Sequence, residues 1–237
     1  MKFFGINQIG LEGYKFETGF GFSKHITLTL NKKKYFPLLA PHINNWGVEN
    51  VWKIEPTKIK CKIVEKQNFL YFSAFTSNVC CPSKICGCCV IKLGESPWGP
   101  YSNFLLGRVK RWKRISINVK WTFGARGIGD LMFDVWLTKR KRGIPRERDI
   151  ELMVWLDSEN LKPFGERKSD FENFEVFYSP VEKTREFIPH QPCGTISYFL
   201  KQEYRKEQRF YFDLTKLILN LNKYFRVKNI ENYWIRV

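Results

Sequence analysis

Apolar and polar residues alternate with a period of two along most of this chain. This alternation is typical of β-strands that bury one face. It predicts nine short strands, at residues 26–30, 59–64, 69–75, 115–121, 131–138, 151–156, 174–178, 196–200 and 209–212. Glycine and proline stand between most of these runs, as expected for the turns of an all-β protein.

One helical pattern stands near the C-terminal end. Leu217, Ile218 and Leu221 form an apolar stripe over residues 214–224, and Asp213 precedes it as an N-cap candidate. Many short strands with one short C-terminal helix predict an all-β sandwich of two antiparallel sheets. The chain shows no internal repeat and no linker-like segment. We therefore expect residues 1–237 to form a single domain.

The composition narrows the class of protein. Of the 237 residues, 43% are hydrophobic and 16% aromatic, which is enough for a large core and excludes a disordered chain. No run approaches the roughly 18 apolar residues of a membrane span. The first residues lack the apolar stretch of a secretory signal peptide, so the sequence by itself indicates a cytoplasmic protein.

Positive charge is concentrated in one part of the chain. The formal net charge is +17, and 13 Lys/Arg against three acidic residues lie between Arg108 and Arg148. With Trp112 and Trp121 interleaved, this cluster suits a nucleic-acid or other polyanion surface. On charge alone we favour a solvated surface whose lysines discourage edge-to-edge strand pairing. No helix-turn-helix, zinc-finger or Arg-Gly-Gly pattern supports nucleic acid as a partner.

Cysteine is the residue type that could indicate a metal or a disulfide. Five of the seven cysteines lie within residues 80–89. Their spacing, Cys81-x4-Cys86-x-Cys88, is not that of two separated zinc-ligand pairs, and no histidine is close in sequence. We predict no metal; a local disulfide, a free-thiol loop and a soft-metal site stay as alternatives.

The segment Glu-Leu-Met-Val-Trp-Leu at residues 151–156 contains a candidate functional carboxylate, Glu151. On a strand, Glu151, Met153 and Trp155 share one face, while the alternate aliphatic residues face the core. Burying an unpaired carboxylate is costly, so the Glu151 face should line a cleft or a hydrogen-bonded site. A hairpin register that pairs 134 with 151 would bring Asp134 beside Glu151.

Two neighbouring carboxylates among aromatic side chains suit glycoside hydrolysis. One carboxylate serves as nucleophile and the other as acid, and aromatic planes stack on sugar rings. The alternative is a strand edge with two solvated acids. The spacing of the residues alone does not distinguish a glycoside-hydrolysing site from two solvated acids.

Several motifs resemble those of one enzyme family, in the family's order. They are Glu-Leu-Met-Val-Trp-Leu at 151–156, Asp-Val-Trp-Leu-Thr at 134–138, Pro-Phe-Gly at 163–165, Gly-Glu-Ser-Pro-Trp-Gly at 94–99, Phe-Asp-Leu at 212–214 and Asn-Tyr-Trp at 232–234. The sequence thus resembles glycoside hydrolase family 12, with the archaeal members nearest, over roughly residues 90–237. Residues 1–89 match loosely, with Asn-Val-Trp at 50–52 standing for the family's Asn-x-Trp.

This resemblance implies a β-jelly-roll and a retaining endo-β-1,4-glucanase that acts on β-glucan. It implies no cofactor, and we expect a monomer without a membrane or nucleic-acid partner. A polysaccharide substrate would favour an extracellular protein, so the localisation stays open. The resemblance assigns Glu151 as nucleophile, Asp134 as the residue that supports it, and Trp98, Met153, Trp52 and Asn50 as substrate-binding residues.

The resemblance also raises the question of the second catalytic carboxyl group. In family 12, the acid/base glutamate lies in a Gly-x-Glu segment directly after the strand that here starts at Tyr233. By this alignment we expect residues 1–237 to be C-terminally incomplete and to lack the acid/base glutamate. A catalytically silent β-glucan-binding module is therefore an alternative function, and a polyanion or nucleic-acid binder is a less favoured one.

Overall fold

The computed structural model describes residues 107–121, 123, 129–187, 191–225, 227 and 229–236, with the side chains of 116, 118, 120, 129 and 187 excepted. Of residues 1–106 it describes the backbone of nine strands. The chain divides into two compact units, one of residues 4–105 and the other of residues 1–3 and 106–237. The expectation of a single domain over residues 1–237 stays a prediction.

The first unit contains short strands. They are β1 (Gly10–Lys15), β2 (Lys24–His25), β3 (Leu28–Leu30), β4 (Lys33–Tyr35), β5 (Leu38–Leu39), β6 (Pro41–Ile43), β7 (Ile59–Lys66), β8 (Phe69–Thr76) and β9 (Cys89–Ile91). A three-stranded sheet has the order β1-β7-β8, and β2 pairs with β5, β3 with β4 and β6 with β9. The predicted runs 59–64 and 69–75 lie within β7 and β8, and residues 28–30 of the predicted run 26–30 form β3, with 26–27 outside the described residues.

The second unit contains the longer strands and the helices. Its strands are β10 (Gly107–Arg108), β11 (Ser116–Lys120), β12 (Gly129–Thr138), β13 (Ile150–Glu159), β14 (Glu166–Phe171), β15 (Phe174–Ser179), β16 (Gly194–Leu200), β17 (Arg209–Asp213) and β18 (Trp234–Arg236). Its helices are α1 (Val181–Phe187), α2 (Gln202–Arg205) and α3 (Leu214–Asn220). All six strands predicted in this part of the sequence are confirmed.

Seven of these strands form one sheet, in the order β10-β18-β12-β13-β16-β15-β14. One pair departs from the predicted antiparallel arrangement, since β13 and β16 run parallel. The chain reaches β16 only after the β14–β15 hairpin and α1, and β16 then inserts between β13 and β15. Alternation along single strands carries no information on this insertion, so the sequence could not reveal it.

The core lies on one face of this sheet. Leu152, Val154 and Ile196 are fully buried there. A second layer, the β11–β17 pair, packs Phe210 and Phe212 edge-on against Phe174, with ring centroids 5.5 and 6.1 Å apart. The two layers form a β-sandwich, and the opposite face of the seven-stranded sheet carries Glu151.

The C-terminal helix α3 forms where the sequence predicts it. The carboxylate of Asp213 accepts a hydrogen bond from the backbone N–H of Thr215 at 3.0 Å, which confirms the N-cap. The helix continues as a 3-10 turn over Leu221–Lys223. The helix α1 was not predicted, because its seven residues are too few to establish a helical period. Among the described residues, no helix has the length and apolarity to span a membrane.

Candidate active site

Glu151 lies in the middle of a row of side chains that crosses the sheet. Trp136 of β12 stands directly opposite it on one side, and Thr195 of β16 stands opposite on the other. The expected register, which paired 134 with 151, is therefore wrong by two residues. Asp134 is opposite Met153 instead, so it occupies the same face as Glu151 and lies diagonally to it.

Asp134 and Glu151 differ sharply in exposure. The Asp134 side chain is exposed, and its Oδ2 accepts a hydrogen bond from the indole Nε1 of Trp136 at 3.0 Å. Glu151 is only 4% exposed. One carboxylate is thus solvated and held by the indole, whereas its neighbour is enclosed.

Two polar side chains hold the Glu151 carboxyl group. Gln191 Nε2 donates to Glu151 Oε2 at 2.6 Å, and Thr195 Oγ1 donates to the same oxygen at 3.0 Å. Among the described residues, none donates a hydrogen bond to Glu151 Oε1. The carboxyl group is therefore fixed through one oxygen while the other has no donor from this part of the chain.

The surroundings of Glu151 oppose its ionisation. Burial raises the pKa of this carboxyl group well above its ordinary value, and the negative charge of Asp134 raises the pKa further. The hydrogen bonds from Thr195 and Gln191 act in the opposite direction, since they stabilise the carboxylate. Burial is the largest of these effects, so the two donors orient the group without fully compensating its desolvation.

Met153 lies next along the strand from Glu151 on the same face, and it is covered. It is 5% exposed and forms an apolar cluster with Trp155 and Phe199. Leu161 and Phe164, from the segment that links β13 to β14, pack against this cluster. We call residues 161–165 the crossing segment, because it runs over β13, β16 and β15 on the Glu151 face.

Gly165 ends the crossing segment in a conformation that requires glycine. Its φ is +98°, and a Cβ at this position would lie 2.6 Å from the carbonyl oxygen of Tyr178. The Pro-Phe-Gly motif at 163–165 thus has a local structural reason, since it brings the chain close to β15.

The structure brings together three of the predicted site residues, Glu151, Asp134 and Met153. The other three, Trp98, Trp52 and Asn50, lie outside the described residues, as do Cys80, Cys81, Cys86 and Cys88. Within the described part of the chain, no group of histidine, cysteine, aspartate or glutamate side chains could hold a metal ion. The assignments at Trp98, Trp52 and Asn50 stay predictions.

Sequence reasoning missed Gln191, Thr195 and Arg236. In β16, Thr195 and Ser197 alternate with apolar residues, and this signal could have placed a polar face beside Glu151. Gln191 lies before the strand, in a segment without the alternating pattern that indicates which way a side chain faces. Arg236 is 1% exposed, stands opposite Trp136 and donates to the carbonyl oxygen of Gly143, which attaches the loop after β12 to β18.

Solved structures of family 12 glycoside hydrolases share this fold. The endoglucanase Cel12A of Rhodothermus marinus matches with a TM-score of 0.60 at 16% identity, over 92% of this chain and 88% of that one. A family 12 xyloglucanase from Bacillus licheniformis matches with a TM-score of 0.60 at 15% identity, over 91% and 89%. A metagenome-derived glycoside hydrolase family 12 endoglucanase matches with a TM-score of 0.59 at 17% identity, over 91% and 86%.

The chain has the β-sandwich fold of the family 12 glycoside hydrolases. At these identities the likeness is one of fold. No protein-family model and no curated protein matches the sequence. Evidence for the function therefore comes from the chemistry of the site.

Proposed function

We propose that this protein is a retaining endo-β-1,4-glucanase with Glu151 as its nucleophile. The observation that carries the proposal is the carboxyl group of Glu151, held on the sheet face through Oε2 with Asp134 diagonally beside it. Hydrogen bonds from Gln191 and Thr195 to one oxygen leave Oε1 to attack the anomeric carbon of a sugar. Attack breaks the glycosidic bond and forms a glycosyl ester, which water then hydrolyses.

The neighbouring side chains have supporting roles in this proposal. Gln191 and Thr195 are positioning residues, because they act through the carboxylate of Glu151. Asp134 sets the charge beside the nucleophile and is itself oriented by Trp136. The departing sugar oxygen needs a proton from a second carboxyl group, and the proposal assigns this acid/base role to no residue.

The remaining family-based assignments belong to the proposal as well. Trp98, Trp52 and Asn50 would form sugar subsites around Glu151, and Met153, which the crossing segment covers, would support them from the apolar cluster. The archaeal members would be the nearest relatives. The proposal takes residues 1–237 as one domain that acts as a monomer on β-glucan. Support for these points comes from the motifs in the sequence and from the shared fold.

The test measures hydrolysis of barley β-glucan by the wild type and two matched variants. Glu151→Gln should release reducing ends on the order of 10⁴-fold or more slowly than the wild type, because it removes the nucleophile. The control Glu159→Gln changes an exposed glutamate of the same strand and should leave the rate unchanged.

A 2-fluoro cello-oligosaccharide donor tests the covalent step. We expect mass spectrometry to find the fluorosugar on the peptide that contains Glu151. Wild-type protein that releases no reducing ends and acquires no label would overturn the catalytic proposal.

A second candidate is a glucan-binding module without catalysis. The burial of Glu151 and its raised pKa favour this candidate, because a neutral carboxyl group is a poor nucleophile. Electrophoresis in gels that contain soluble β-glucan separates the two functions. Retardation without hydrolysis at any pH supports the module, and retardation with hydrolysis supports the enzyme.

A further inference from the structure

A basic pocket lies at the turn end of the β12–β13 hairpin. It has a volume of about 680 Å³, and cationic side chains supply five of its eight lining residues: Lys139, Arg140, Arg146, Arg148 and Arg185. Two carboxylates, Glu147 and Asp149, also line it. The pocket therefore carries a formal excess of three positive charges.

Both carboxylate oxygens of Asp149 accept hydrogen bonds from the backbone of the loop. Its Oδ1 accepts from the backbone N–H of Lys139 at 2.8 Å, and its Oδ2 accepts from the backbone N–H of Arg146 at 2.7 Å. The side chain is 4% exposed. Both oxygens close the turn, so Asp149 shapes the pocket more than it neutralises the cations.

Backbone carbonyl groups orient two of the five pocket cations. Arg140 Nη2 donates to the carbonyl oxygen of Ile144 at 2.7 Å, and Arg185 Nε donates to that of Gln191 at 3.0 Å. Among the described residues, none of the five pocket cations forms an ion pair. Their remaining N–H groups can donate to an anion, and guanidinium groups match the oxygens of carboxylate and sulfate closely.

The pocket adjoins the Glu151 site along two segments of the chain. Asp149 precedes Glu151 by two residues, and Pro192 in the pocket wall follows Gln191, whose amide donates to Glu151. Arg185 contacts the backbone of the same Gln191. A polymer bound over Glu151 can therefore reach the pocket with a neighbouring unit.

We propose that this pocket binds a carboxylate or sulfate substituent on the glycan that is cut at Glu151, so that the substrate is an acidic polysaccharide. This inference rests on the proposed function, since it names the substrate class of the same site. It assigns a role to the cationic side chains of residues 139–148.

The surroundings favour an anionic glycan over a nucleic acid. Single strands bind by stacking bases on open aromatic faces. The ring of Trp234, which lies near the pocket loop, is instead covered by Arg108 at 5.4 Å and by Lys141 at 5.8 Å. A glycan with acid groups on only some of its sugars also brings less negative charge against the exposed Asp134 carboxylate than a backbone with one phosphate for every nucleotide.

The test compares binding to two soluble celluloses of equal chain length, the anionic carboxymethyl derivative and the neutral hydroxyethyl derivative. The double variant Arg146→Gln/Arg148→Gln should bind the anionic polymer about tenfold or more weakly and the neutral polymer unchanged. The loop should survive this change, because its hydrogen bonds use the backbone N–H of Arg146 and the backbone carbonyl of Arg148.

Two control variants define what a positive result means. Lys206→Gln/Arg209→Gln removes the same charge at exposed positions away from the pocket and should leave both affinities unchanged. Arg146→Lys/Arg148→Lys keeps the charge and should restore most of the binding. Equal losses in the pocket variant and the distant variant would overturn the proposal, as would tighter binding of an oligonucleotide with the same number of charges.

The outcomes separate this inference from the proposed function. Hydrolysis of both celluloses at rates that the pocket variant does not change overturns the pocket and leaves the glucanase intact. Pocket-dependent binding of the anionic polymer without hydrolysis supports the pocket as a binding site and overturns the glucanase. Pocket-dependent binding together with faster hydrolysis of the anionic polymer supports both.

Discussion

The carboxyl group of Glu151 receives two hydrogen bonds on one oxygen, while burial and the charge of Asp134 oppose its ionisation. A nucleophile must be ionised to attack, so the balance between these effects sets the pH range in which the proposed enzyme works. Each neighbouring group shifts the pKa of Glu151 in a known direction, and each can be removed by a separate substitution.

Asp134→Asn should move the acid limb of the kcat/KM profile to lower pH. The negative charge of Asp134 raises the pKa of Glu151, so its removal lowers that pKa, and the nucleophile ionises in more acidic solution. Initial rates on a soluble glucan across the pH range measure this limb. The matched variant Gln191→Ala removes a hydrogen bond that lowers the pKa, so its acid limb should move to higher pH. Two shifts in the same direction would contradict this account of the site.

Glu151→Gln should make the folded protein more stable at neutral pH. The folded-state pKa of Glu151 lies well above the ordinary value of 4.5. Below pH 4.5 the group is protonated in both folded and unfolded chains and costs nothing, whereas above the raised pKa it is ionised in both and destabilises the fold in full. Glutamine keeps an acceptor oxygen for Gln191 and Thr195 without the charge.

Urea unfolding of the wild type and Glu151→Gln as a function of pH measures this effect. The stability advantage of the variant should be largest above the raised pKa and should disappear as the pH falls towards 4.5. The exposed Glu159→Gln serves as the reference for loss of a charge on the same strand. A variant that is less stable than the wild type at every pH would show that the carboxylate is not destabilising.

The strands show which parts of the architecture a sequence can reveal. Alternation predicted the β12 and β13 strands and the shared face of Glu151, because side-chain direction has a period of two. The pairing of Glu151 with Trp136 was missed, because the loop after β12 sets the register. The neighbour on the other side of Glu151 was missed too, because β16 inserts only after a hairpin and a helix. Gln191 and Thr195 reach Glu151 through that insertion, so local pattern could not identify them as its partners.

Gly165→Ala should destabilise the protein by about 1–3 kcal/mol, the usual cost of a strained backbone position. At φ +98° a Cβ is strained, and here it would also meet the carbonyl oxygen of Tyr178 at 2.6 Å. Gly143→Ala is a matched control, since its φ is +92° and its Cβ would meet only the Arg140 side chain, at 3.6 Å. Chemical denaturation should give the larger loss for Gly165→Ala. Equal losses of stability in the two variants would show that the close approach of the crossing segment to β15 does not contribute to stability.

The chain as a whole combines a family 12 fold with a formal charge of +17. The sequence shows that positive charge is concentrated between residues 108 and 148. It does not predict the basic pocket, because the pocket also includes Arg185 from α1. The fold class followed from the strand pattern and the motifs. The division of the chain into two compact units had no signal in the composition, because no linker-like segment separates them.

We predict that the two units unfold in one cooperative transition, as expected for a single domain. Pulsed hydrogen exchange across a urea series resolves peptides from β7–β8 and from β12–β13 separately. Both sets should lose protection with the same midpoint. Two separate midpoints would divide the chain into two independently folding domains.

The parallel pairing of β13 with β16 also affects how the site can form during folding. The β12–β13 hairpin closes over residues 139–149, but Gln191 and Thr195 lie 40 and 44 residues beyond Glu151. Contacts of such sequence separation form later than local ones, because a longer loop must be closed first. We therefore expect Glu151 to stay on an open strand edge until β16 docks. Recovery of the proposed activity on refolding should accordingly follow the docking of β16 and not the formation of the hairpin.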